Sequence, residues 1–194
     1  NQTGTANGSV AVSGAGTATR TVTVSSITGD GRLGISIAAG TASDTSGNQA
    51  PAAGPSATFV VDNIPPAATL AGMPASPTSQ RTADITVGGA GVTHYRYRLD
   101  GGAWGVETGV ATHIQLAGLA DGGHTLSVTG RDAAGNWQPE ASATTAAWTV
   151  DGTAPSGTVS INGGAIYCTS TEVTLTLTAG DGAGSGVTHM AVRN

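Results

Sequence analysis

The chain has 194 residues, 31 of them glycine, with only 10% charged side chains and a formal net charge of -5. All seven basic residues are arginine, so there is no lysine for a Schiff base or for a lysine-to-asparagine isopeptide crosslink, and no basic patch to neutralise a row of phosphates. Nucleic acid is not an expected partner, no apolar run is long enough to span a bilayer, and with no signal peptide at Asn1 any export signal is expected outside this segment.

No window shows apolar residues at helical spacing over ten or more positions, whereas alternation is frequent, so the chain is predicted to be all-β. Thr21-Val22-Thr23-Val24 predicts a half-buried strand, and Ile27-Thr28-Gly29-Asp30-Gly31 turns into the next one. Asp44-Thr45-Ser46-Gly47-Asn48 is a tight loop ahead of a strand ending Phe59-Val60-Val61. A hinge follows at Asp62-Asn63-Ile64-Pro65-Pro66, where the prolines restrict the backbone.

Beyond the hinge seven strands are predicted, near 67–71, 82–88, 92–99, 103–107, 111–117, 124–131 and 143–150. Alternation places Ile85 and Val87, Tyr95 and Tyr97, Ile114 and Leu116, Leu126 and Val128, and Trp148 and Val150 on core faces. Asp132-Ala133-Ala134-Gly135-Asn136 is a second tight loop before the last of these strands. Asp151-Gly152-Thr153-Ala154-Pro155 is a second hinge, Val173-Thr174-Leu175-Thr176-Leu177 alternates again, and the Gly-rich stretch 180–186 is expected as a flexible turn.

These elements repeat. The hinge at Asp62 matches that at Asp151 with an offset of 89, the loop at Asp44 matches that at Asp132 with an offset of 88, and Gly91-Val92-Thr93-His94 returns as Gly186-Val187-Thr188-His189 with an offset of 95. The expected organisation is a partial module over 1–62 that lacks its first strands, a complete module over 63–151, and a partial module over 152–194 holding first strands only. Seven short strands per repeat suit an immunoglobulin-like sandwich.

The Val-Asp-x-x-x-Pro hinges at Asp62 and Asp151, the Asp-x-x-Gly-Asn loops at Asp44 and Asp132, and Ile27-Thr28-Gly29-Asp30-Gly31 before a strand resemble the tandem immunoglobulin-like repeats of large bacterial adhesins and other secreted or surface-anchored proteins. The resemblance runs over the whole chain. It implies tandem immunoglobulin-like antiparallel β-sandwich modules, the first and last incomplete, in an exported bacterial protein at the cell surface or outside the cell. It also implies a non-catalytic role as stalk, adhesin or filament component. The alternatives are a module that binds carbohydrate or a host surface, and an accessory region of a larger secreted enzyme or cytochrome. Expected partners are neighbouring modules of the same or another copy, including head-to-tail self-association in which the leading strands near Asn194 complete the partial module near Asn1 of the next molecule.

Calcium at module junctions is the cofactor the resemblance implies, and hard cations need several oxygen ligands. The candidate ligands are Asp62, Asp132, Asn136 and Asp151. The same residues have a second reading, in which Asp132 and Asn136, like Asp44 and Asn48, bond the backbone amides of their own turns while the glycine supplies a positive φ. His94, His113, His124 and His189 show no metal-ligand spacing, and His124 falls where related sandwiches place a tyrosine that bonds back to the preceding turn. No nucleophile elbow, marked carboxylate pair or phosphate-cradling loop is present, so no catalytic site is expected. Trp104 and Trp137 would form a sugar platform only if both were exposed and coplanar, and the lone Cys168 is expected to be a small buried side chain.

Overall fold

The structure, a computed structural model, describes residues 2–14 and 19–193. It is all-β apart from two single 3-10 turns, Glu140–Ser142 and Asn162–Gly164. The chain separates into two compact units, one formed by Asn1–Pro66 with Asp132–Trp137, the other by Ala67–Arg131 with Gln138–Asn194.

In the first unit β1 (Gln2–Gly4), β4 (Gly31–Leu33) and β5 (Phe59–Val61) form an antiparallel sheet in the order β1-β4-β5, and β2 (Asn7–Ser13) pairs with β3 (Thr21–Thr28) as a hairpin. The β4·β5 ribbon continues through bridges at Ile37↔Ala53 and Ser43↔Gln49 to the turn at Asp44–Asn48. Its core is small: Ala6, Leu33 and Val61, with Val24 packed against them. Val10, Val12 and Phe59 remain 62%, 63% and 45% exposed, so alternation formed the strands without a layer to cover them.

The second unit contains β6 (Thr69–Ala71), β7 (Thr82–Gly88), β8 (His94–Leu99), β9 (Thr108–Gly109), β10 (Ile114–Ala117), β11 (Gly122–Arg131) and β12 (Thr144–Val150). Two antiparallel sheets, β10-β7-β6 and β12-β11-β8-β9, face each other as a sandwich. Ile85 and Ile114 from one sheet meet Tyr95, Leu126, Val128, Trp148 and Val150 from the other in one buried cluster. Each such side chain contributes about 1.5–3 kcal/mol by leaving water. Tyr97 and Leu116, at the sheet margins, are only partly buried.

One predicted strand is displaced. Residues 103–107 are not a strand, and the short pairing falls instead at β9. Gly102 and Gly105 donate to the carbonyls of Leu99 and Tyr97, which folds this segment back on β8, and Trp104 lies over the guanidinium of Arg98. A final hairpin in the same unit joins β13 (Ser156–Ile161) to β14 (Leu175–Gly180), with Val159, Ile161, Leu175 and Leu177 all exposed. No helix among the described residues is long and apolar enough to cross a membrane.

Candidate functional site

The two Asp-x-x-Gly-Asn loops close in the same way. Asp44 Oδ1 accepts the N–H groups of Ser46 and Asn48, and Oδ2 accepts Asn48 Nδ2 at 2.8 Å. Asp132 Oδ1 accepts Gly135 and Asn136, and Oδ2 accepts Asn136 Nδ2 at 2.9 Å. Gly47 and Gly135 hold φ of 85° and 103°, the left-handed region open to glycine. The Asn48 amide is the main cause that holds the Asp44 carboxyl below its usual range. At Asp132 burial pushes the other way, but the hydrogen bonds from Asn136 and Gly135 outweigh it and the carboxyl is again lowered.

The four candidate calcium ligands are divided between the two units. Asn136 Nδ2 reaches the Asp62 carbonyl at 3.1 Å and Asp62 Oδ1 at 3.4 Å, so Asp62, Asp132 and Asn136 share one corner of the first unit. Asp151 lies in the second unit, where its N–H donates to the Thr78 carbonyl and its carboxylate accepts Ser185 N–H. At the first corner both Asp132 oxygens already accept N–H donors, and Asn136 presents its amide nitrogen to Asp62.

Around Asp151 there is a cleft of about 660 Å3 that also contains Asp121 and Asp181. Asp121 takes Gly152 N–H, Thr153 Oγ1 and Arg81 Nη2, the last at 2.6 Å. Thr153 is the main cause of its lowered pKa. Asp181 accepts Gly186 N–H, so the Gly-rich stretch expected to be a flexible turn is pinned by two aspartates, Asp151 and Asp181. Asp151 Oδ1 and Asp181 Oδ1 are buried and take no hydrogen bond. Among the described residues no group of three or more His, Cys, Asp or Glu side chains is arranged to hold a metal. The hydrogen bonds at Asp132 and Asn136, like those at Asp44 and Asn48, are those of a turn clasp. Thermal unfolding with and without millimolar calcium separates the two readings of these residues, since an ion that binds the folded chain raises its midpoint. A calcium-dependent rise would support the ion, and an unchanged midpoint would favour the turn clasps alone.

His124 closes the corner of the sandwich. Its Nε2 lies 2.9 Å from the Ala120 carbonyl, in the turn before β11, and its Nδ1 lies 2.8 Å from Asp100 Oδ2. Both ring nitrogens thus face acceptors, which only the imidazolium satisfies with two N–H donors. The Asp100 carboxylate is the main cause that raises the His124 pKa, and His124 in turn is the main cause that lowers Asp100. A raised histidine pKa gives stability that is full below the unfolded value and is lost as pH rises through the folded one. The thermal midpoint is expected to fall as pH rises above about 6.5, the ordinary histidine value, and the fall is expected to be smaller in Asp100→Asn. Equal pH profiles in the two proteins would remove the pair as the cause.

The other histidines serve surface contacts. His113 Nδ1 sits 2.8 Å from Asp84, and His94 Nδ1 sits 3.1 Å from Thr93 Oγ1 and 4.0 Å from Glu107, which also takes Arg131. His189 is exposed. Cys168, expected to be buried, is exposed, because it lies on the open segment between β13 and β14, where its Sγ donates to the Ser170 carbonyl. Trp104 and Trp137 are both half-buried rather than open. One face of Trp104 carries Arg98 at 4.7 Å from the ring centroid, so that face is closed to a sugar ring.

Gln138 escaped the sequence reading. It is 5% exposed, its Oε1 accepts Ala68 and Gly130 N–H, and its Nε2 donates to the Ser142 carbonyl and Thr144 Oγ1. It thereby ties the entry to β6 to both β11 and the start of β12. Only its place just after an Asp-x-x-Gly-Asn loop could have marked it. The chain matches no family model and no curated protein.

Proposed function

We propose that the chain is a non-catalytic spacer and interaction segment of immunoglobulin-like modules in an exported bacterial surface protein, serving as stalk, adhesin or filament component. The observation that carries this reading is the strand order of the intact sandwich, β10-β7-β6 against β12-β11-β8-β9. Read as letters from β6 onward, it sets A, B and E in one sheet and C, F and G in the other, as immunoglobulin-like domains do, with β9 added beside C. Two features support it. The loop before the last strand carries the same Asp–Asn clasp in two successive repeats. His124 also bonds back to the turn before β11, the office of the corner tyrosine in this fold class.

A stalk must resist extension, and a sandwich does so by breaking its two sheets apart in one step. Stretching single molecules is expected to give a discrete unfolding event of roughly 300 Å for the middle module, from an 89-residue repeat at about 3.3–3.6 Å per residue. Smooth extension without such an event would overturn the spacer role. An antibody to the middle module is expected to label intact source cells from outside. Labelling only after permeabilisation would overturn the exported placement.

A further inference from the structure

The outer face of the four-stranded sheet carries three of the four arginines of the sandwich. Alternation turns Tyr95, Tyr97 and Leu99 toward the core, so Arg96 and Arg98 of β8 point outward, and Arg131 of β11 stands on the same face opposite His94. Three of the four are neutralised: Arg81 by Asp121 at 2.6 Å, Arg96 by Glu140 at 2.8 Å and Arg131 by Glu107 at 2.7 Å. Arg98 has neither a carboxylate nor a hydrogen-bond partner among the described residues, and its Nε is buried without one. What holds it is Trp104, whose ring centroid lies 4.7 Å from the guanidinium carbon. Stacking on an aromatic face orients a guanidinium while leaving its Nη donors for another group.

Ser127 lies beside it. In the sheet register Ser127 of β11 stands opposite Arg98 on one side and opposite Thr145 of β12 on the other, so the three side chains form a row across one face. Directly opposed side chains have Cβ atoms about 4.5–5.5 Å apart, within reach of one small group. Ser127 is 8% exposed, yet its hydroxyl has no hydrogen-bond partner among the described residues. Buried hydroxyls are ordinarily paired. An enclosed donor with nothing to bind, next to an arginine without a counter-ion, marks a place that suits an anion.

We propose that the row Arg98, Ser127 and Thr145 binds the carboxylate of an acidic sugar, a uronic acid unit of a glycan. The guanidinium gives the carboxylate two parallel N–H donors, a fork that matches its geometry, and Ser127 gives an O–H donor from the middle of the row. Thr145, exposed at the other end, meets a sugar hydroxyl. A glycan fits better than a peptide because β11 is paired on both sides, with β8 and with β12, and offers no backbone edge to an extended chain. Recognition runs through charge and hydroxyls, since the Trp104 face that would stack on a sugar ring already carries Arg98. The site lies wholly within the sandwich and goes beyond the spacer role, which does not require it.

An NMR titration of the 194-residue chain with a trimer of galacturonic acid at low salt tests this. The trimer is expected to bind with a dissociation constant of about 0.1–1 mM and to shift the amide signals of Arg98, Ser127 and Thr145 first. A galactose trimer, which lacks the carboxylates, is expected to bind at least about tenfold more weakly. Arg98→Gln is expected to weaken the acidic trimer by about 10–100-fold and Ser127→Ala by about 2–10-fold. Arg32→Gln, which removes an exposed arginine of the first unit, is the control for general attraction of an anion and is expected to change nothing. Should Arg98→Gln disturb β8, Arg98→Lys keeps the charge without the fork and is still expected to weaken binding. No shift at Arg98 up to about 10 mM trimer, equal binding of the neutral trimer, or an equal loss in Arg32→Gln would each overturn the proposal. A glutamate hexapeptide that binds more tightly than the trimer would overturn it too, by making the ligand a peptide. The unfolding event under force does not involve Arg98, so the spacer role and the sugar site fail separately.

Discussion

Trp148→Ala is expected to destabilise the second unit by about 3–5 kcal/mol, whereas Phe59→Ala, in the strand that ends the first unit's sheet, is expected to cost less than about 1 kcal/mol. Trp148 is 2% exposed and packs in the main cluster, with the His124 ring 5.8 Å away. Removing the indole forfeits its transfer free energy and leaves a cavity that the two sheets cannot close. Phe59 is 45% exposed, so its truncation vacates space already open to water. Urea unfolding of each variant at low concentration measures both losses. Equal losses would mean that Phe59 is covered in solution.

Gln138→Leu is expected to cost about 2–4 kcal/mol, as much as a sizeable core truncation, although it adds apolar surface. Leucine fits the volume of glutamine, but the Ala68 and Gly130 N–H groups would then be left in a buried place without an acceptor. Desolvated and unpaired, each such donor costs about 1–3 kcal/mol. Gln115→Leu, on the exposed face of β10, is the matching control and is expected to stay within about 0.5 kcal/mol of the parent protein. A loss at Gln138 no larger than at Gln115 would mean that water satisfies both amides.

Much of the sandwich was legible because two-residue alternation is a local property. Ile85, Tyr95, Ile114, Leu126, Val128, Trp148 and Val150 were all predicted on core faces and all are buried. The tight loops were legible for a similar reason, since a short carboxylate followed by Gly-Asn can satisfy its own turn. The strand expected at 103–107 was not, because its glycines and Trp104 answer to contacts with β8 that the segment itself does not reveal.

What the sequence determined by itself is the all-β class and the alternating faces, because these depend on neighbours one to four residues away. Tertiary structure alone decided which faces are covered. Leu175 and Ile85 read alike along the chain, and only the presence of β10 and the facing sheet makes one exposed and the other buried. It likewise gave His124 a carboxylate from Asp100 and turned Gln138 into a tie between three strands. Those outcomes join residues tens of positions apart, and no local pattern encodes the distance between them.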